Sequence, residues 1–126
     1  MTAVDHTLIV IASVLVTAPY WISACLKAKW FSATVAEVQG LGLGPAPTVA
    51  RATIAVQALG SASLVFGVLP VFGLLALVAF TIAASFVGHP FWRLPAGERL
   101  TGANGFLANV GLLGGLLSVA LLHRLS

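Results

Sequence analysis

The sequence predicts an all-α membrane protein, with four transmembrane helices in an up-down bundle. Three observations carry that prediction. Of the 126 residues, 60% are hydrophobic and only 7% are charged, whereas soluble domains carry about a quarter charged residues. Mean hydropathy is +1.08, so most of the chain cannot cover a water-facing surface, and its solvent must be lipid. Apolar stretches of about 20 residues, the length a helix needs to cross a bilayer, fall at 7–26, 48–69, 71–88 and 103–122. They form a single domain over 1–126.

The first span is preceded by Asp5 and His6, with no Lys or Arg. A cleavable signal peptide begins with a basic region, so this segment is expected to be retained as a helix. Pro19 removes a backbone hydrogen bond and is expected to kink it. Ser13, Thr17, Tyr20, Ala24 and Lys27 fall within about 80° of one another at 100° per residue. Two readings of this polar seam stand side by side. Its hydroxyls bond back to their own helix carbonyls, or the seam faces a bundle cavity or a ligand.

The connector that follows opens with K-A-K-W-F. Trp30 and Phe31 beside Lys27 and Lys29 read as an interfacial anchor, aromatic at headgroup depth with the lysines reaching outward. Thr34 and Glu37 have capping-box spacing, which predicts a short helix ending at Gly40. Residues 40–47, G-L-G-L-G-P-A-P, form a turn-rich link. They neither follow a strand nor end in Lys-Ser/Thr, so they do not make a phosphate-binding loop.

In the second span Arg51 is expected to snorkel. Gln57, Gly60, Ser61 and Leu64 share one face, and Ala55, Ala58 and Ala62 make a second face of small residues suited to close helix contact in lipid. Gln57 reads as interhelical glue or as a functional group. Pro70 cannot continue the helix, so a tight turn is placed within 67–73. One unbroken span of about 40 residues would be too long for any bilayer. The third span carries Thr81, Ser85 and His89 one turn apart. The fourth opens with Asn104 and Asn109, then presents Ala108, Gly111, Gly115 and Ser118 on one stripe, with Gly114 alongside; this is a helix-packing surface.

Composition also excludes functions. Six Lys and Arg give a net charge of +3, and they sit at segment ends, which suits headgroups rather than a nucleic acid. The single cysteine, Cys25, permits no intrachain disulfide or C-x-x-C pair. It reads as a small apolar residue, or as a thiol that Lys27 and Lys29 would activate. His6, His89 and His123 lie at different segment ends, so no metal site is predicted. Asp5, Glu37 and Glu98 are the only carboxylates, all near interfaces, which leaves no dyad or proton relay. Lys27, Lys29, Arg51, Arg93 and Arg99 fall in the first and third loops. The positive-inside rule puts those loops in the cytoplasm and the termini in the periplasm of a bacterial inner membrane.

Several runs resemble the DoxX family over nearly the whole chain. Ser23-Ala24-Cys25-Leu26-Lys27 with Phe31 and Thr34 is similar to the end of its first helix. Gln57 to Gly67, Q-A-L-G-S-A-S-L-V-F-G, resembles its second helix. His89-Pro90-Phe91-Trp92 resembles its H-x-F-W element, and Phe106-Leu107-Ala108-Asn109 with Gly114-Gly115 its fourth helix. The family's usual glutamate is replaced by Gln57 and its usual lysine by Ala108. If those charges pair across the bundle in the family, this chain has lost both together.

The resemblance implies a four-helix fold. It also implies kinship with proteins that include a subunit of an archaeal thiosulfate:quinone oxidoreductase, parts of other membrane oxidoreductase complexes, and assembly factors. Without the charged pair, an accessory subunit docked on other integral membrane subunits is the leading expectation, with no catalytic residue of its own. His89, Pro90, Phe91, Trp92, Asn104 and Asn109 would brace the junction of the last two spans. No cofactor is predicted. The alternative is a pocket lined by Tyr20, Lys27, Gln57, His89 and Asn109, which would take a quinone or a lipid. An assembly factor or transporter is the third reading.

Overall fold

The computed structural model describes residues 2–88 and 91–125, in the order α1 (Ala3–Lys29), α2 (Phe31–Gly40), α3 (Ala46–Phe66), α4 (Pro70–Gly88), a 3-10 turn (Phe91–Arg93) and α5 (Ala96–Leu125). Four helices are long and apolar enough to cross a membrane: α1, α3, α4 and α5. Helix α1 packs on α3 and α5, and α4 packs on the same two. The bundle is therefore a ring in which α1 and α4 occupy opposite corners.

Local chemistry sets the boundaries. At the start of α1, Thr2 Oγ1 accepts from the Asp5 N–H and Asp5 Oδ2 accepts from the Thr2 N–H, each at 3.1 Å. This capping box extends the helix one turn beyond the predicted start, and α1 then runs through Pro19 without a break. The box expected at Thr34 and Glu37 does not form. Thr34 is buried inside α2, and its hydroxyl lies 3.1 Å from both the Lys27 and Trp30 carbonyls. It satisfies the end of α1 instead of starting α2, which begins directly at Phe31. Val38 of α2 packs with Ala46 and Ala50 of α3, so α2 lies against the start of the next span.

Helix α3 stops three residues before its predicted end because Gly67 takes a left-handed conformation, φ 67°, and its N–H returns to the Ser63 carbonyl. Pro70 is the first residue of α4. Its missing N–H is harmless there, since the opening turn of a helix has no intrahelical acceptors for its donors. Glycine then sets how closely α3 and α4 approach. A Cβ on Gly73 would lie 2.5 Å from Ser63 Cβ and 2.9 Å from the Gly60 carbonyl. Helix α5 begins at Ala96, two turns earlier than predicted. Pro95 stands just before it, and Glu98 in its first turn complements the helix dipole. The main core joins Tyr20, Leu64, Leu77, Leu116, Val119 and Ala120, with at least one residue from each spanning helix.

Candidate functional site

The interior of the bundle carries a column of hydroxyls. Ser13, Thr17, Ser61, Thr81 and Ser85 are all buried. Each donates to the carbonyl four residues earlier: Ser13 to Ile9 at 2.7 Å, Thr17 to Ser13 at 2.6 Å, Ser61 to Gln57 at 2.6 Å, Thr81 to Leu77 at 2.6 Å and Ser85 to Thr81 at 2.7 Å. That local bond uses the single hydroxyl proton and leaves oxygen lone pairs as acceptors.

Three of these acceptors receive a donor from another helix. Tyr20 Oη lies 2.6 Å from Thr81 Oγ1, Asn109 Nδ2 donates to Ser85 Oγ at 3.0 Å, and His123 Nε2 lies 2.9 Å from Ser13 Oγ. With the Thr81 proton on Leu77 and the Ser13 proton on Ile9, proton counting makes Tyr20 a donor and places a hydrogen on His123 Nε2. One chemical device thus ties α1 to α4, α4 to α5 and α5 to α1. Both readings of the first-span seam hold together, since its hydroxyls bond to their own helix and also face the bundle.

Gln57 is the exception. It is 3% exposed, and its Oε1 has no hydrogen-bond partner among the described residues. A buried amide oxygen left unsatisfied costs about 1–3 kcal/mol, and among the described residues it is the buried side-chain oxygen or nitrogen with no hydrogen bond at all. Gly60, Ser61 and Leu64 share its buried face, as the spacing implied. Ala108, by contrast, is exposed. The position that replaces the family's lysine points away from the interior that holds Gln57, so the two do not face one another across the bundle.

Of the other residues of the expected pocket, Tyr20 and Lys27 both border the Phe80 ring, and Tyr20 and Asn109 bond Thr81 and Ser85, one turn apart on α4. Lys27 is half-buried, with Nζ 5.7 Å from the centre of the Phe80 ring. Tyr20 and Asn109 are engaged as above, on different helices. His89 and Pro90 lie outside the described residues. At the junction, Trp92 packs against Phe86 and Phe106, with ring centres 5.8 Å and 5.9 Å away, and Phe86 and Phe106 meet edge-on at 5.6 Å. Asn104, expected to brace this junction, is exposed two turns inside α5. Of the glycines in α5, Gly115 packs on Val16, where a Cβ would come within 2.6 Å. Gly111 and Gly114 have no neighbour within 4 Å of such an atom.

Sequence reasoning missed His123. It reads as an exposed residue at a helix end, yet it reaches Ser13 and crowds Gly67, where a Cβ would stand 3.2 Å from its Nδ1. A polar residue in the last turn of α5 facing another about three turns into α1 carries no local signal. Among the described residues, no group of three His, Cys, Asp or Glu could hold a metal ion.

Comparison with the curated proteins and with the solved structures gives no match. The DoxX family model matches residues 8–90, which takes in α1 to α4 and stops before α5. The match covers about two thirds of the chain and takes in three of its four apolar helices able to cross a membrane, so this protein is a membrane protein that belongs to the DoxX family.

Proposed function

We propose that this protein is a non-catalytic accessory subunit that stabilises a larger membrane complex, a redox or quinone-linked one. The observation that supports this most is the division of labour between interior and exterior. Interior hydroxyls are engaged in bonds that hold the helices together. The outward side of α5 instead offers Leu107, Val110, Leu117 and Leu121, all exposed, around Gly111 and Gly114, where an added Cβ would meet no described residue within 4 Å. In lipid, small residues let a neighbouring helix approach closely enough for dispersion to hold it. Kinship with the DoxX family supports the redox setting. The Lys and Arg residues of the α1–α3 and α4–α5 connections favour the cytoplasmic side of a bacterial inner membrane.

Purification in a mild detergent at native expression, followed by mass spectrometry, tests this. An integral membrane partner is expected at fixed stoichiometry, and Gly111→Leu should release it without lowering the yield of the chain. A lone monomer would overturn the reading.

Gln57 favours a second reading, a small-molecule redox site. Its unpartnered Oε1 would accept from the hydroxyl of a reduced quinone. A quinone that co-purifies with the wild type and is absent from Gln57→Leu would support that site.

A further inference from the structure

A groove runs along the lipid-facing seam between α1 and α3, and its chemistry differs from one end to the other. Over most of its length it is an open apolar concavity of about 520 Å³, floored by Ala58 and Ala62 and walled by Trp21, Val65 and Phe66. A second concavity of about 460 Å³ shares Ala28 and Ile54 with the first and ends at Phe31 and Arg51. The two adjoin at those shared residues as parts of one groove. From Phe66 to Arg51 it spans about 22 Å at 1.5 Å per residue, longer than the depth of one leaflet's hydrocarbon, about 15 Å.

The apolar part asks its occupant for no hydrogen bond. Ser61 Oγ already donates to the Gln57 carbonyl, and Trp21 Nε1 donates to the Val14 carbonyl at 3.3 Å. The Cys25 thiol is a weak donor. A hydrocarbon chain, bound by dispersion alone, suits such a surface. The other end is cationic. The Arg51 guanidinium stands 5.5 Å over the Phe31 ring, held at the mouth of the groove, and among the described residues it meets no carboxylate. Lys29 and Trp30 directly precede Phe31 in sequence, the residue types of a headgroup belt.

We infer that this groove is a binding site for an anionic phospholipid, with the phosphodiester on Arg51 and one acyl chain laid along Ile54, Ala58 and Ala62 towards Phe66. The unmatched charge selects the lipid, and the apolar groove supplies the remaining affinity. The site lies on the α1–α3 side and leaves the outer side of α5 free.

Native mass spectrometry of the detergent-solubilised protein, titrated with phosphatidylglycerol or phosphatidylcholine of identical chains, tests this. Wild type should retain phosphatidylglycerol in preference by about fivefold, the effect of one basic residue at a membrane surface. Arg51→Gln should bring the two lipids to parity, and Arg51→Lys should keep most of the preference. Ala58→Trp should fill the groove and lower retention of both lipids while Arg51 is still present. Inorganic phosphate at equal concentration should displace neither. Parity in the wild type, a preference unchanged in Arg51→Gln, wild-type retention in Ala58→Trp, or displacement by phosphate would each overturn the proposal.

Discussion

The Tyr20 and Thr81 hydroxyls meet at 2.6 Å across the diagonal of the bundle, between α1 and α4, two helices whose backbones do not otherwise approach. Only a long side chain with a polar tip can make that connection, and both residues are buried. Because Thr81 gives its proton to Leu77, Tyr20 is the donor, and the bond fixes the rotation of both helices. Removing the tyrosine hydroxyl should cost little in energy and more in uniqueness. Tyr20→Phe is expected to lower stability by about 0.6–1 kcal/mol, the usual worth of an interhelical hydrogen bond in a membrane bundle. A double-mutant cycle with Thr81→Val, read from unfolding in mixed micelles, should recover a coupling of that size. Additive effects would show that the contact carries no energy.

Gly60 and Gly73 face one another's surroundings at the α3–α4 contact, but they should not tolerate alanine equally. A Cβ on Gly60 would meet Leu77 Cγ at 2.7 Å, in a side chain buried in the core, but no backbone atom closer than the Gly73 carbonyl at 3.5 Å. On Gly73 it would meet Ser63 Cβ and the Gly60 carbonyl, which move only if the helices part. Gly73→Ala is therefore expected to cost about 1–3 kcal/mol by overpacking, and Gly60→Ala less. Midpoints of thermal unfolding would rank them.

Gly67 is required twice. Its φ of 67° is one that residues with a side chain rarely adopt, and His123 Nδ1 occupies the space a Cβ would crowd. Gly67→Ala should cost about 1 kcal/mol or more from the backbone alone and should also displace His123 from Ser13. Gly111→Ala is the control. With open space around it and better helix propensity, it should leave the isolated chain unchanged or slightly more stable.

Much of this architecture was legible in the sequence because hydropathy and helical periodicity are local. The four spans, the turn before Pro70, and the shared buried face of Gln57, Gly60, Ser61 and Leu64 follow from spacing alone. What escaped depends on which group competes for a bond, or on how helices are rotated against each other. Thr34 has the spacing of a cap, yet the carbonyls ending α1 take its hydroxyl. Helix α5 starts at Ala96 because a dipole-matched first turn follows Pro95, whereas a hydropathy window sees only its apolar body. The site was less legible still. Asn109 finds Ser85, His123 finds Ser13 and Ala108 turns outward, and no single-helix pattern encodes those three outcomes.

Gln57 separates a packing role from a binding one. In the protein as described, its Oε1 is buried without a partner, so replacement by an apolar residue of similar volume removes a penalty of about 1–3 kcal/mol. Gln57→Leu should therefore fold at least as well as the wild type in detergent, with an equal or higher unfolding midpoint. Gln57→Glu should do the opposite, since a charge at that depth is costly and is neutralised by taking up a proton. A wild type that is more stable than Gln57→Leu by 1 kcal/mol or more, when purified with its native lipids and quinones, would mean that something donates to Oε1 in the membrane. Repeating the comparison after exhaustive delipidation identifies that donor. If the difference disappears, the stabilising group was a ligand; if it persists, it belongs to the chain itself.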